Sequence, residues 1–366
     1  MEKIVILFID AFSYSYIDRE NTPFLSTQDT RPLTPVFGFK QLASAFGYPD
    51  PLSTGFFAEH YFDPARSPHR WSRISPPFLL SAIDRLPRFL IDMTYRHILR
   101  QTASLKLVPL DMLRFFITDN RPYPDDSPLI ALLREKGLTQ RLIFYPEAKT
   151  NVDAFNLLQE MHGSGQLPQF LLVHFPSLDQ LGHISGTTSE YLQQMVQQTD
   201  RMIGEVVAMF GRNSRIIIFS DHGMCEVKGT INVLEKVKEA GRPGKEFAVF
   251  LDSIMARFWT FQKSSLETIT RILGSERHGQ VIPLQNSEMR DRFGDILFLA
   301  SPGYLIYPNY YDSKPPKAMH GYNVPLPSES DLNGILFTVN MPNLTLPDKL
   351  SMLDIYPILK QAIEKL

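Results

Sequence analysis

The sequence predicts an α/β protein of three layers: helices on both faces of a mainly parallel central sheet, with a helical insertion and a small α+β cap. Three observations carry this. Apolar runs of strand length alternate with helix-length amphipathic stretches. The runs at 3–9, 170–175 and 216–219 are almost continuously apolar, the pattern of strands buried on both faces. Each also leads into acidic or imidazole side chains: the first into Asp10, the second into Asp179 and His183, the third into Asp221 and His222. Open α/β sheets gather ligands outside the carboxyl ends of their strands, so residues distant in sequence can converge there.

Taken in order, the first strand ends at Asp10. Residues 56–126 break the rhythm: they are aromatic, basic and proline-rich, and read as an insertion over the sheet's active edge. Ser127 is the expected N-cap of a helix reaching Lys136, with Pro128 at its first position and Gly137 ending it. A strand at 141–145 and a second helix precede the strand at 170–175. From 189 to 210 a helical stripe runs through Leu192, Met195, Val196, Met202, Ile203, Val206, Val207 and Phe210. That helix is the expected right-handed crossover into the strand at 216–219. Residues 232–317 form the expected cap, with a strand at 247–251, a helix near 265–273, and Phe258, Trp259 and Phe261 in its core. The core domain is therefore 1–231 plus 318–366, resuming with His320, a strand at 335–339 and a last helix near 353–366. There is no internal repeat and no low-complexity segment.

A chain of 366 residues, 43% hydrophobic, can bury a large core. The net charge of -2 gives no global attraction to nucleic acid, and no nucleic-acid polymer is expected as partner. Between Arg66 and Arg121, however, ten Lys or Arg face four acids. The stretch at 83–99 could rest on an anionic membrane surface, and Arg66, His69, Arg70 and Arg73, interleaved with Phe62 and Trp71, could frame an anionic group. A solvated charged helix face explains the same pattern more economically. Cys225 is the single cysteine, which excludes an internal disulfide and favours a reducing compartment. The opening Met1-Glu2-Lys3 runs straight into the first strand, and no apolar run has transmembrane length, so a cytoplasmic protein is expected.

Asp179 and His183 stand four apart, so one carboxylate oxygen and one imidazole nitrogen can face the same ion, and His320 can complete a three-ligand site open to substrate. Asp10, Asp221 and His222 make a second set. Mixed Asp and His ligation suits zinc, or alternatively manganese, better than calcium. Singly, each residue has an ordinary explanation: Asp10 as a turn former, Asp179 as a helix cap, His183 as a hydrogen-bonded core histidine. Six such residues in the order one site requires point instead to a paired-metal hydrolase. His60, His69 and His162 are expected to be surface or hydrogen-bonding residues and not ligands.

The set Phe8-Ile9-Asp10, Asp179 with His183, Ser220-Asp221-His222-Gly223-Met224 and Met319-His320-Gly321-Tyr322 resembles the alkaline phosphatase superfamily, specifically its type I phosphodiesterase/nucleotide pyrophosphatase branch. Asn21-Thr22-Pro23-Phe24-Leu25 and Leu353-Asp354-Ile355-Tyr356-Pro357 extend the likeness over nearly the whole chain. The resemblance implies an alkaline phosphatase-like fold and two zinc-like ions, one on Asp179, His183 and His320, the other on Asp10, Asp221 and His222 beside a Thr or Ser nucleophile. It further implies a small anionic phosphate ester as substrate, with hydrolysis of a phosphodiester or pyrophosphate bond.

The nucleophile departs from that pattern. Counting nine residues back from Thr54-Gly55 lands on Ala45, and matching Gly38-Phe39 to a Gly-aromatic-Ser pattern puts Lys40 in the nucleophile's place. Ser44, Ser53 and Thr54 remain, and Thr54 is the expected catalytic residue, attacking phosphorus to give a phospho-threonine that water then hydrolyses. Ser53 and Thr54 could equally be turn or cap residues. If Thr54 is not the nucleophile, water activated at the metals replaces it or catalysis is absent, leaving a silent metal-binding member of the family. A phosphomonoesterase is a further alternative. A sulfatase is another, although its Cys-x-Pro-x-Arg type motif is absent.

Overall fold

The structure, a computed structural model, describes residues 3–54, 58–69, 107–118, 125–284, 287–323, 330–342 and 344–366. Contacts divide the chain into two compact units: 1–57, 122–226 and 316–366 in the first, 58–121 and 227–315 in the second.

The first unit is built on a seven-stranded sheet. Its strands are β1 (Lys3–Ile9), β2 (Arg31–Thr34), β3 (Gln140–Ile143), β4 (Phe170–Phe175), β5 (Ser214–Phe219), β6 (Gly334–Val339) and β7 (Leu350–Ser351), in spatial order β7-β2-β6-β5-β1-β4-β3. All run parallel except β6, which is antiparallel to both neighbours. Alternation along β1 divides the core. Val5, Leu7 and Ile9 face a cluster with helices α2 (Asn151–Ser164), α3 (Ser177–Ser185) and α4 (Glu190–Phe210). Ile4, Ile6 and Phe8 face the other cluster, with α1 (Pro128–Glu135) and α5 (Met352–Glu364). This is the expected three-layer α/β/α arrangement, and it explains why β1, β4 and β5 are apolar at nearly every position.

The local signals act as the residues dictate. Ser127 accepts from the Ile130 N–H at 3.3 Å and Pro128 opens α1, while Gly137 takes a left-handed φ of 64° just past its end. Thr150 and Asp153 close a reciprocal capping box on α2, and Ser189 caps α4. The strand expected at 141–145 is displaced to 140–143, because the chain leaves the sheet in a turn closed by Glu147 N–H donating to Phe144 O.

The second unit differs from the expected division, which kept 56–126 and 227–231 with the core. Residues 229–231 pair with 304–306, and His60–Phe62 pairs with Phe116–Thr118. A four-stranded antiparallel sheet runs in the order Phe247–Leu251, Met255–Thr260, Ile296–Ala300, Gly279–Ile282. The guanidinium of Arg257, fully buried, donates to His60 O at 2.6 Å and to Asp252 Oδ2 at 3.2 Å, so the 60–62 strand belongs with this sheet. Phe258 and Trp259 are core, as expected, but Phe261 is 45% exposed because it follows the strand's end at Thr260. Of the basic insertion, Arg70, Trp71, Arg73 and the stretch 83–99 lie outside the described residues. Among the described residues, no helix is long and apolar enough to cross a membrane.

Candidate metal centre

All six expected ligands belong to the first unit and follow strand ends or their loops. Asp10 comes directly after β1, where its N–H donates to Phe175 O at 3.0 Å. The chain then turns through Ala11 at φ 61°, a conformation uncommon for a residue with a Cβ and found where neighbouring structure fixes the backbone. Asp221 and His222 follow β5. Ser220 joins the two loops: its Oγ accepts from Phe12 N–H at 2.8 Å and donates to His222 O at 2.7 Å.

Asp179 and His183 lie one turn apart on α3, the short helix after β4. Gly182 lets this helix close on its neighbour, since a Cβ there would stand 2.5 Å from Met224 Sδ. Gly223 is more constrained still, with its Cβ position 2.0 Å from Asp331 O. His320 is brought in by a two-residue ladder pairing Ala318–Met319 with Cys225–Glu226.

The side chains converge. His183 Nε2 and His320 Nε2 each lie 3.4 Å from Asp179 Oδ1. His222 Nε2 lies 3.5 Å from Asp10 Oδ1 and 3.6 Å from Asp221 Oδ1. The His222 and His320 rings stack at 3.7 Å, 4° from parallel. Ligand atoms of Asp10, Asp221 and His222 fall within 4.8 Å of one another, and so do those of Asp179, His222 and His320. His222 is thus shared by both clusters, while His183 approaches the second through Asp179. The first group is the expected set; beside the second, His183 keeps its expected place 3.4 Å from Asp179 Oδ1, and His222 comes within reach as well.

The donor set fits divalent cations. Among the described residues, Asp179 Oδ1 and Asp221 Oδ1 are buried with no hydrogen-bond partner, an arrangement that is costly unless a cation completes it. His183 Nδ1 is 2.9 Å from Ala318 O and His222 Nδ1 is 3.0 Å from Gly223 O. Donation to those carbonyls leaves both Nε2 lone pairs facing inward, the outer support usual for metal-binding histidines.

The electrostatics agree. Burial pushes the Asp221 carboxyl up, and although His222 opposes this, the charges of Asp10 and Asp179 reinforce it. For Asp179 burial is outweighed by the His183 imidazole, 3.4 Å from its Oδ1, and by those of His320 and His222, which together hold its carboxyl well below the usual range. Burial also drives the His320 imidazole down, helped by His222. For His222 burial is overcome by Asp221, Asp10 and Asp179, which raise it. Three carboxylates crowded into a buried site call for compensating positive charge.

The nucleophile candidates are placed differently. Thr54 ends the short helix Pro51–Thr54, exposed, its Oγ1 donating to Asp50 O at 3.1 Å, and Ser53 Oγ does the same at 2.8 Å. Ser44 is buried inside the helix Leu42–Ala45. The Gly38–Lys40 stretch approaches the centre: Gly38 N–H donates to Gly321 O at 3.0 Å, and Phe39 meets the His320 ring edge-on at 5.7 Å. His60 and His69 are buried in the second unit, and His162 packs edge-on to Phe210; none joins either cluster. One polar neighbour escaped the sequence reading. His174, on β4, lies 3.0 Å from Asp10 through its Nε2. The available signal was a lone imidazole inside an otherwise apolar strand.

Comparison with known proteins bears on the fold and the family. Human ectonucleotide pyrophosphatase/phosphodiesterase 5 superimposes with a TM-score of 0.66 at 14% identity, over 99% of this chain and 95% of that one. The murine ectonucleotide pyrophosphatase/phosphodiesterase 5, in an inactive variant in complex with AMP, gives 0.64 at 14% identity, over 100% and 95%. At that identity the likeness establishes the shared alkaline phosphatase-like fold. A search of curated protein sequences finds no match. The family model described as type I phosphodiesterase / nucleotide pyrophosphatase matches residues 120–323, more than half of the chain. The chain therefore belongs to the type I phosphodiesterase/nucleotide pyrophosphatase family of hydrolases.

Proposed function

We propose that this protein hydrolyses phosphate esters, in particular phosphodiester or pyrophosphate bonds of small anionic substrates, at a centre of two divalent cations. Zinc is the preferred ion and manganese the alternative. The observation that carries the reading is the pair of ligand clusters meeting at His222. Asp10, Asp221 and His222 would hold one ion; Asp179 and His320, with His183 beside them, would hold the other. When bound, two such ions neutralise charge on the attacking and leaving oxygens of an in-line displacement. The AMP complex of the murine enzyme supports a nucleotide-type ester as the substrate class.

The protein's own contribution is placement. Carbonyls of Ala318 and Gly223 fix the tautomers of His183 and His222, and the Ser220 hydroxyl holds the Asp10 and Asp221 loops in register. Thr54 is proposed as nucleophile: its Oγ gives up its proton and bonds to phosphorus as the ester P–O bond breaks, the departing oxygen takes up a proton in its place, and water later cleaves the phospho-threonine to phosphate and free Thr54 hydroxyl. A second reading, a metal-binding member without turnover, is favoured by the cap-like bond of Thr54 to Asp50 and by Lys40 following the Phe39 that touches His320. The lone Cys225 supports a cytoplasmic location for either reading.

Metal analysis combined with bis(4-nitrophenyl) phosphate, 4-nitrophenyl phosphate and 4-nitrophenyl sulfate decides between them. The hydrolase reading expects fastest turnover of the diester and a loss of about a thousandfold or more in Asp221→Ala and Thr54→Ala. Full activity in Thr54→Ala would remove Thr54 from the mechanism. Bound metal with no turnover of any of the three esters would establish the silent reading.

A further inference from the structure

His174 is the polar residue of β4 that the site described above leaves unused. Alternation along the strand puts it on the face of Phe170 and Leu172, and its register partner on β1 is Phe8. Its ring stacks on Phe8 at 4.7 Å and 12°, with Phe144 tilted against it at 5.5 Å. Its Nδ1 is buried without a partner. An imidazole in such apolar surroundings is costly unless its polar edge is used, and among the described residues that edge has one partner. Nε2 lies 3.0 Å from Asp10 Oδ2, while Asp10 Oδ1 faces the other way, 3.5 Å from His222 Nε2.

We propose that His174 is a positioning residue for the cation site of Asp10, Asp221 and His222: its Nε2–H occupies Asp10 Oδ2 and leaves Oδ1 alone to bind the ion. The direction of donation follows from the surroundings. Nδ1 meets no acceptor, so the neutral tautomer with the proton on Nε2 places its only N–H on the carboxylate and a lone pair in the apolar slot. Anchored on the rigid strand β4, the imidazole fixes the orientation of a ligand that otherwise follows the strained turn at Ala11. A carboxylate free of this bond could turn and offer both oxygens, changing the ion's coordination number. Outer partners of this kind typically control metal affinity by about 10–100-fold.

The inference rests on the two-metal reading, and zinc titration of the full, chelator-stripped protein separates the two. Wild type should take two zinc ions. In His174→Phe, which keeps the stack on Phe8, one of the two should bind about 10–100-fold more weakly and the other unchanged. His174→Gln, whose amide N–H reaches the Nε2 position, should recover most of the affinity. With cobalt(II) as probe, the visible bands of His174→Phe should shift as Asp10 contributes a second oxygen, and those of His174→Gln should match wild type. Two wild-type-like zinc sites in His174→Phe would overturn the inference alone, as would a His174→Gln variant that binds as weakly as His174→Phe. A wild-type protein that takes no zinc would overturn the metal reading and the inference with it.

Discussion

At the residue scale, glycines and one buried histidine make the sharpest claims. Gly223→Ala puts a Cβ 2.0 Å from Asp331 O, a backbone atom that cannot step aside. It should cost about 3 kcal/mol or more in urea unfolding and disturb His222 beside it. Gly182→Ala meets only the flexible Met224 thioether, at 2.5 Å, and should cost about 1 kcal/mol. Equal effects of the two would contradict this account. His69, only 5% exposed, has its imidazole driven down by burial to about 4. The folded pKa lies below the unfolded one, so between the two the unfolded chain binds more protons and stability rises with pH. The contribution should be complete above about pH 6.5 and disappear as pH falls through 4, at most about 3 kcal/mol. Unfolding curves of His69→Leu across that window should lose this dependence. Asp10, Asp179, His183, Asp221 and His222 were legible because each lies shortly after an apolar strand. His174 was not, since its value lies in a contact with Asp10, 164 positions away in the chain.

At the element scale, local chemistry sets boundaries and packing sets identity. The capping box on α2 has Thr150 Oγ1 accepting from Asp153 N–H at 3.1 Å while the Asp153 carboxylate accepts from Thr150 N–H at 3.0 Å. Thr150→Ala should lower stability by about 1 kcal/mol without altering metal content, as measured by thermal unfolding and metal analysis. Helix α4 was legible from its apolar stripe and from Ser189 at its start, and the structure runs it from Glu190 to Phe210. The strand at 140–143 was misplaced by two residues at its end, because a turn formed by one backbone hydrogen bond leaves little trace in composition. The ladder that delivers His320 is only two residues long, too short to produce a readable alternation.

At the scale of the whole molecule, the first unit is assembled from three segments of chain and the second from two, and buried polar contacts record which segment belongs where. In the second unit Arg257 bridges His60 O and Asp252, with its guanidinium 4.8 Å from the Phe250 ring. Arg257→Ala leaves the Asp252 carboxylate buried without its cation and should destabilise that unit by about 3–5 kcal/mol. Removing both charges, as Asp252→Leu with Arg257→Met, should restore most of the loss. A single variant as stable as wild type, followed by chemical unfolding, would refute the role given to this pair.

What the sequence by itself determined is the periodic part of the protein. Near-continuous apolar strands require two covered faces, amphipathic helices supply the cover, and ligands placed after strand ends emerge at one edge of a parallel sheet. Those relations hold within a few residues of chain and so are written locally. The tertiary structure alone decided that His222 is shared between the two ligand clusters, that His174 takes one oxygen of Asp10, and that residues 58–121 join the second unit. Each depends on the register between strands distant in sequence and on side-chain approaches of 3.0 to 3.6 Å, and no short window of residues encodes either.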